Sequence, residues 1–263
     1  MRKVDIMEQR EEVEEISGNN EPVGSKRRSG SEKPSGSRAL LGSRGISDGK
    51  RDSCSKEPSN CKERSRRAFD RQASSYDSGM QGSHARMLYP YVVRAVARAV
   101  ADIPAPRVLD MGCGTGALAE QVLVEVPSAE LAAVDLAPKM VERARRRLGS
   151  RASVILGDAE RLPFHDGMFD LVYCNDSFHH YPDPERAAFQ MWRVLAPGGT
   201  LVIGDIWQPA PARAVMNAWM PRSHEGDVHM YSEAELRALL GAWFEHVSWQ
   251  RIGFTACLCV ARK

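Results

Sequence analysis

The sequence predicts an α/β fold in which helices cover both faces of a seven-stranded, mostly parallel sheet that ends in an antiparallel hairpin. Short apolar runs alternate with helical stretches from about residue 83 onward, a pattern typical of strands buried between helices. After a last helical stretch, at about residues 232–243, two extended runs follow with no room for a helix between them. These two runs are therefore expected to pair antiparallel at the sheet edge.

The elements are predicted in order along the chain. A helix is predicted over about residues 83–101, because Leu88, Val92 and Val96 recur at the helical spacing of three to four residues. Five strands are predicted from apolar runs at residues 107–110, 131–135, 153–158, 170–174 and 200–205, and helical segments separate most of these runs. Two further strands, residues 246–252 and 254–262, form the predicted hairpin.

Residues 1–67 are predicted to be a disordered, charged leader, and residues 68–263 to be one domain. The leader contains no Phe, Tyr or Trp and is rich in Ser, Gly and charged residues, so it cannot bury enough apolar area to offset chain entropy. Its second part, residues 24–67, carries 13 basic and 5 acidic residues. One interpretation is a nucleic-acid-binding arm; the other, a solvated leader, is favoured because no aromatic residue is present to stack on a base.

The composition excludes several classes of protein. No stretch approaches the roughly 18 consecutive apolar residues of a membrane helix, so no membrane span is predicted. The first residues lack the apolar segment of a signal peptide, and a cytoplasmic location is expected. The six cysteines match no metal-ligand spacing, and no metal is predicted.

A glycine-rich loop follows the first predicted strand. Asp110 ends that strand, and Gly112, Gly114 and Gly116 follow at alternate positions before a helix. Glycines let the backbone turn tightly and approach a ligand beside the exposed N–H groups of the helix. Alone, this loop is compatible with a structural turn or with a nicotinamide dinucleotide site.

Acidic residues also end the next two predicted strands, and ligands bind at this edge of an open parallel sheet. Asp135 is placed to accept hydrogen bonds from two ribose hydroxyls, and Asp158 to accept one from the exocyclic amine of adenine. Each of these two residues could instead cap a helix. Asp110 would repel a pyrophosphate and attract a cation, which favours a sulfonium ligand over a dinucleotide.

With these residues in this order, the chain resembles the class I S-adenosylmethionine-dependent methyltransferases of the small-molecule group that includes ubiquinone and menaquinone methyltransferases. The resemblance covers about residue 68 to the C-terminus, and its motifs lie at residues 108–116, 133–135, 157–159 with 162–164, 169–172 and 195–201. It implies a Rossmann-like sheet, S-adenosyl-L-methionine as cofactor, and methyl transfer to a small, apolar or aromatic acceptor.

The resemblance also implies roles for individual residues. The loop at Gly112 and Gly114 would meet the methionine moiety, whose amino end Asp110 would help to hold. The other cofactor contacts that it implies are Asp135 at the ribose, Leu136, Asp158 and Ala159 at the adenine, Asn175 at the methionine moiety, Gly116 in the loop, and Tyr76 in a segment that closes over the cofactor. Tyr76 could instead anchor the chain as it enters the fold.

Acceptor and base are predicted from less specific segments. His180, and after it His179, are the nearest candidates for a general base, although a hydrogen-bonded structural histidine is the alternative. Residues 205–231 are expected to build the acceptor pocket. Trp207, Trp219, Met220 and His224 are the candidate contacts there, with Met216, Asp227 and His229 nearby. The apolar members of this set could equally form the core of a helix over residues 211–219.

Two other functions remain open. A protein of this fold could bind the cofactor and regulate without turnover. An RNA methyltransferase could use the basic leader, although residues 175–178 lack the motif that base amino methylation usually uses. A nicotinamide oxidoreductase is disfavoured by Asp110 and by the terminal hairpin. The residues encode neither the target atom nor an oligomeric state.

Overall fold

The structure, a computed structural model, describes residues 58–263. Within them the chain forms seven strands and seven α-helices. The strands are β1 (Arg107–Met111), β2 (Glu130–Asp135), β3 (Ala152–Leu156), β4 (Phe169–Asn175), β5 (Leu195–Ile206), β6 (His246–Ile252) and β7 (Ala256–Arg262). The helices are α1 (Pro58–Gln72), α2 (Ser83–Ala99), α3 (Ala117–Glu125), α4 (Pro138–Leu148), α5 (Pro184–Val194), α6 (Ala210–Trp219) and α7 (Glu233–Leu240).

All seven strands join one sheet in the order β3-β2-β1-β4-β5-β7-β6. The first five run parallel, whereas β7 pairs antiparallel with both β5 and β6. The predicted fold, including its C-terminal hairpin, is confirmed. The chain leaves β1 toward β2 and β3, then returns to place β4 on the other side of β1. Such a reversal opens a crevice at the carboxyl ends of the central strands, and that crevice positions the site.

The core lies on both faces of the sheet, because successive side chains of each strand point to opposite sides. On one face Leu109 and Phe169 pack with residues of α5 and α7. On the other face Val108 and Tyr173 pack with residues of α2, α3 and α4. The central strands are therefore apolar on both sides, which explains why they appear in the sequence as short continuous apolar runs.

Helix α1 corrects the predicted leader. The expected boundary after residue 67 falls inside α1, which starts at Pro58, so residues 58–67 belong to the folded domain. Cys61, Ser65 and Ala68 are buried where α1 docks. Gly226 passes so close beneath α1 that a Cβ there would lie 2.6 Å from the Ser65 hydroxyl oxygen. Tertiary contacts thus order a polar segment, and the rest of the predicted leader, residues 1–57, lies outside the described residues.

Two further points concern the helices. The predicted opening helix is found as α2 and ends two residues earlier than expected. Helix α6 covers the segment predicted at residues 211–219, but no residue of α6 is buried. Of the helices in residues 58–263, none combines the length and the apolar character that crossing a lipid bilayer requires.

Replacing Phe169 with alanine should lower the free energy of unfolding by about 3–5 kcal/mol, because its ring is fully buried against Phe164 with centroids 5.0 Å apart. Urea unfolding measures the change, provided that the slope of the unfolding free energy against urea concentration is the same in both proteins. Phe254→Ala is the matched control, since Phe254 is 83% exposed and its truncation should change stability by less than about 0.5 kcal/mol. Equal effects of the two substitutions would contradict the described core.

Candidate functional site

A large cleft opens at the carboxyl ends of β1, β2 and β4, where the fold places its crevice. Its space is about 990 Å³, the part open to solvent included. All predicted cofactor contacts except Gly116 line it, namely Tyr76, Asp110, Gly112, Gly114, Asp135, Leu136, Asp158, Ala159 and Asn175. Gly116 lies at the N-cap of α3, where a Cβ would come 3.2 Å from Ala144 of α4. Gly116 thus lies where α3 and α4 pack closely, and a cofactor contact there stays a prediction.

The glycine loop turns sharply between β1 and α3. The backbone N–H groups of Gly112 and Cys113 both donate to the carbonyl of Val134 at the end of β2. Gly112 has a φ of 77°, and a Cβ there would lie 2.8 Å from the Ser177 hydroxyl. Gly114 has a φ of 52°, and a Cβ there would meet no atom within 4 Å. The loop thus needs glycine at both positions for its conformation, and at Gly114 it leaves open space beside the cleft.

Asp135 is held by the two segments that flank it. The N–H of Gly114 donates to its Oδ2 and the N–H of Ala137 donates to its Oδ1, each over 2.8 Å. Burial raises the pKa of Asp135 to about 6, against these two hydrogen bonds, so the carboxylate is charged at neutral pH. Each oxygen keeps an acceptor position, because a carboxylate offers about four. Asp135 therefore anchors the local backbone and can still accept two hydroxyl donors.

Asp110 is buried at the base of the cleft, where the hydroxyl of Tyr173 donates to its Oδ2 over 2.9 Å. Burial raises the pKa of Asp110 to about 8; the Tyr173 hydrogen bond opposes this rise and the charge of Asp135 adds to it. A positive charge in the cleft would favour the ionised form of this carboxyl group. The position therefore suits a cationic group, as the sequence predicts.

Lys62 of α1 reaches across the cleft to the predicted adenine end. Its Nζ lies 2.7 Å from Oδ2 of Asp158 and also contacts the carboxylate of Glu160. Burial lowers the pKa of Lys62, but the two carboxylates outweigh it and the net shift is upward. Sequence reasoning missed Lys62 because it assigned this residue to the leader.

The C-terminal part of α1 and the segment after it form a second wall of the cleft. Phe69 and Tyr76 meet edge to face with ring centroids 6.1 Å apart, and both line the cleft. Oδ1 of Asp70 accepts a hydrogen bond from the N–H of Lys139 at the start of α4. Burial raises the pKa of Tyr76, so its hydroxyl stays protonated. This wall is therefore attached to the start of α4.

Three polar side chains lie together at the end of β4: Asn175, Asp176 and, from α2, His84. The sequence predicted only Asn175 as a site residue. Asn175 donates from Nδ2 to the carbonyl of Ala85, whereas its Oδ1 is buried without a hydrogen-bond partner. Asp176 has a φ of 54°, and its Oδ1 lies 2.7 Å from Nδ1 of His84. Burial raises the pKa of Asp176, but the His84 partner outweighs it and the net shift is downward. No spacing motif links His84 to this strand end.

The two predicted base candidates sit side by side next to Asp227, with ring centroids 4.0 Å apart. His179 Nδ1 lies 2.5 Å from Oδ1 of Asp205, and its backbone N–H donates to the other oxygen of that carboxylate. Although burial opposes it, Asp205 raises the pKa of His179 to about 9. Burial and the charge of His179 hold the pKa of His180 well below its usual range.

His180 lines the cleft, whereas His179 lies behind it. His180 Nδ1 is 3.1 Å from Oδ1 of Asp227, without hydrogen-bond geometry. The backbone of Gly226 and the edge of the Phe69 ring also face its imidazole. His180 therefore lies at the cleft, where a general base would be needed, but its ring is weakly basic. Its role as a general base stays a prediction.

The predicted acceptor contacts do not come together at the cleft. Trp207 packs against Trp249, with ring centroids 5.6 Å apart. Trp219 is 68% exposed on α6, Met220 is buried beyond the end of that helix, and His224 is exposed. None of the four is among the residues that line the cleft. Helix α6 turns its side chains outward, and this is why the Trp- and Met-rich segment does not wall the cleft.

This sheet order, with a glycine loop and acids at successive strand ends, defines a Rossmann-like α/β domain of the kind that binds nucleoside-containing ligands. Comparison with known proteins identifies the family. Residues 109–203 match the family described as "Methyltransferase domain". The chain is 33% identical over 189 residues to the malonyl-[acyl-carrier protein] O-methyltransferase of Geobacter sulfurreducens. The matched region covers 68% of this chain and 68% of that relative.

A second relative is the demethylmenaquinone methyltransferase of Deinococcus radiodurans, 39% identical over 127 residues, or 47% of this chain. The chain spans only about half of that relative, 52% of its length. Among solved structures, an S-adenosylmethionine-dependent methyltransferase of Thermotoga maritima, titled a possible histamine N-methyltransferase, has a TM-score of 0.58 at 21% identity. That match covers 75% of this chain and 99% of the other.

The chain therefore belongs to the class I S-adenosylmethionine-dependent methyltransferases. Its predicted family, Rossmann-like fold and cofactor are confirmed.

Replacing Asp110 with asparagine should flatten the pH dependence of stability between about pH 4 and pH 8. The folded-state pKa, about 8, lies above the ordinary value of 3.8, so the folded protein keeps a proton that the unfolded chain releases. Wild-type stability should therefore fall as pH rises through this window, and the variant should lack that part of the decline. Urea unfolding from pH 5 to pH 9 measures it.

The exposed variant Asp102→Asn is the control and should follow the wild-type curve. Parallel curves for wild type and Asp110→Asn would contradict the described burial of this carboxyl group.

Proposed function

We propose that the protein transfers a methyl group from S-adenosylmethionine to a small, apolar or aromatic acceptor. The observation that carries this proposal is one cleft that unites the buried acid Asp110, the orphan oxygen of Asn175 and the anchored carboxylate of Asp135. Each of the three can accept a hydrogen bond, and the two carboxylates can also pair with a positive charge. Their order along the cleft suits a ligand with an amino-acid end and a nucleoside end.

The residues fit the cofactor that the family uses. Asp110 and the unpartnered Oδ1 of Asn175 would hold the amino group of the methionine moiety. The open space at Gly114 would admit the end of that moiety that carries the amino and carboxyl groups. Asp135 would accept from the ribose hydroxyls, while Leu136, Asp158 and Ala159 would surround the adenine. An orphan buried acceptor is costly unless a donor reaches it, so Asn175 in particular points to a ligand.

The cofactor supplies an electrophilic methyl group on a sulfonium. The chain must therefore align an acceptor with that group and keep water out, rather than form a covalent bond itself. Helix α1 and the segment after it close one side of the cleft through Lys62, Phe69 and Tyr76. Aromatic rings at this side exclude water and orient a flat ligand.

The acceptor end is assigned to the rim formed by Phe69, His180, Tyr181 and Pro182, which all line the cleft. Three of these four residues carry flat rings, so a planar acceptor is favoured. The relative named for demethylmenaquinone supports this assignment more directly than the one named for a malonylated carrier protein. Regulation without turnover is the second candidate, and a test with labelled methyl donor and a panel of phenols and quinols separates it from catalysis.

Calorimetric titration with S-adenosylhomocysteine should show one binding site, and titration with NAD should show none. Asp135→Asn should weaken the binding of S-adenosylhomocysteine about 10- to 150-fold, the loss expected for charged hydrogen bonds of roughly 1.5–3 kcal/mol. Asp102→Asn is the matched control, because Asp102 is exposed and lies outside the cleft.

Unchanged affinity of Asp135→Asn for S-adenosylhomocysteine would contradict the assignment of Asp135 to the ribose. No binding of S-adenosylhomocysteine by the wild-type chain would sink the proposed function as a whole, whereas binding without labelled product from any acceptor would favour the regulatory candidate.

A further inference from the structure

A cluster of side chains beside the cleft has a geometry that hydrogen bonding does not explain. His179, His180 and Asp227 each offer one possible ligand atom, and these three atoms lie within 4.8 Å of one another. The side chains of His179 and His180 are 8% and 9% exposed, and that of Asp227 is 21% exposed. Asp227 lies in a loop that is held on one side by the Ser65 hydroxyl, which donates to the carbonyl of Glu225, and on the other by the N–H of Val228, which donates to the carbonyl of His179.

The decisive atom is Nδ1 of His180, which is buried and has no hydrogen-bond partner. Oδ1 of Asp227 is only 3.1 Å away, within hydrogen-bonding distance, yet the angle does not allow a hydrogen bond. The ring nitrogen therefore points past the carboxylate oxygen rather than at it. Two ligands of one ion stand in this relation, because each aims at the ion and not at the other.

The separations agree with that interpretation. Ligands at about 2.0–2.1 Å from a tetrahedral ion lie roughly 3.3 Å from each other. The two measured separations, 3.1 Å from His180 Nδ1 and 3.6 Å from His179 Nε2 to Oδ1 of Asp227, bracket this value.

The surroundings of His179 complete the arrangement. Its Nδ1 faces Oδ1 of Asp205 at 2.5 Å, so Nε2 is left for a ligand, and a metal ion that binds it would displace the proton on that nitrogen. A carboxylate behind a histidine in this way fixes the ring and makes the free nitrogen a better metal ligand. The neighbouring group of Asp176, His179 and Asp205 is less suited, because His84 already binds Asp176 and two N–H groups already donate to Asp205.

We propose that His179 Nε2, His180 Nδ1 and Asp227 Oδ1 form a binding site for one divalent transition-metal ion of the Zn²⁺ type. Two imidazoles and one carboxylate select such ions over Mg²⁺ or Ca²⁺, which prefer oxygen ligands. His180 lines the cleft, so an ion held by its ring would lie beside the acceptor end. An acceptor hydroxyl bound there would lose its proton more readily, a consequence that rests on the proposed methyl transfer. The sequence did not reveal this site, because Asp227 lies far from the two histidines along the chain.

The test uses the full chain, stripped with a chelator and dialysed. Calorimetric titration with Zn²⁺ alone should show one site, and titration with Co²⁺ should give visible bands without the intense near-ultraviolet absorption of thiolate ligands. Asp227→Asn and His180→Gln should each weaken Zn²⁺ binding at least about tenfold. His165→Gln is the matched control, since His165 is exposed and outside the cluster, and it should bind as wild type does.

Titration of Asp227→Asn with S-adenosylhomocysteine shows that the variant is folded, because Asp227 does not line the cleft. The proposal is overturned if the wild-type chain binds no stoichiometric Zn²⁺, or if both ligand variants bind it as tightly as wild type. Zn²⁺ binding without binding of S-adenosylhomocysteine would instead overturn the proposed function and leave the metal site standing.

Discussion

The site depends first on how Asp135 is held. Its two carboxylate oxygens accept N–H groups from Gly114 and Ala137, one on each side of the crevice, so a single side chain fixes the glycine loop to the start of α4. The loop is also tied to β2 through the Val134 carbonyl. These bonds let three glycines keep a defined conformation although glycine is the most flexible residue. The same carboxylate is the one expected to meet the ribose, so loop geometry and ligand recognition are coupled.

Burial of charge is the second constraint. Asp110 and Asp135 end adjacent strands, and burial raises the pKa values of both to about 8 and about 6. The charge of Asp135 adds to the rise in the pKa of Asp110, and a cation near the two acids would favour their ionised forms. The opposite holds at the end of β4, where His84 lowers the pKa of Asp176. Three aspartates of one crevice therefore have pKa values shifted in different directions. Burial and the neighbouring groups set these shifts, since the residue type is the same.

Most of the fold and the glycine-loop side of the cleft could be predicted from the sequence, because strand runs, alternating glycines and strand-end acids are local patterns. The missed residues depend on contacts between distant parts of the chain. Lys62 meets Asp158 from 96 positions away. Helix α6 misled the acceptor prediction, since composition shows that Trp219 is apolar but cannot show that it points outward. Cysteine spacing predicted no metal, whereas the candidate ligands proposed above are histidines and an aspartate.

The attachment of α1 bears on how a ligand exchanges with solvent. This helix is joined to the domain by a few buried small side chains, by hydrogen bonds to residues 221–225, and by Lys62 on Asp158 and Glu160. Detachment of α1 would leave every strand pairing intact, because α1 belongs to no sheet, so it would be a local opening rather than global unfolding. Because Lys62 pairs with Asp158 and Glu160 at the cleft, this opening would have to break both ion pairs. Salt screens such ion pairs, so we expect the opening of α1 to depend on ionic strength while the sheet stays folded.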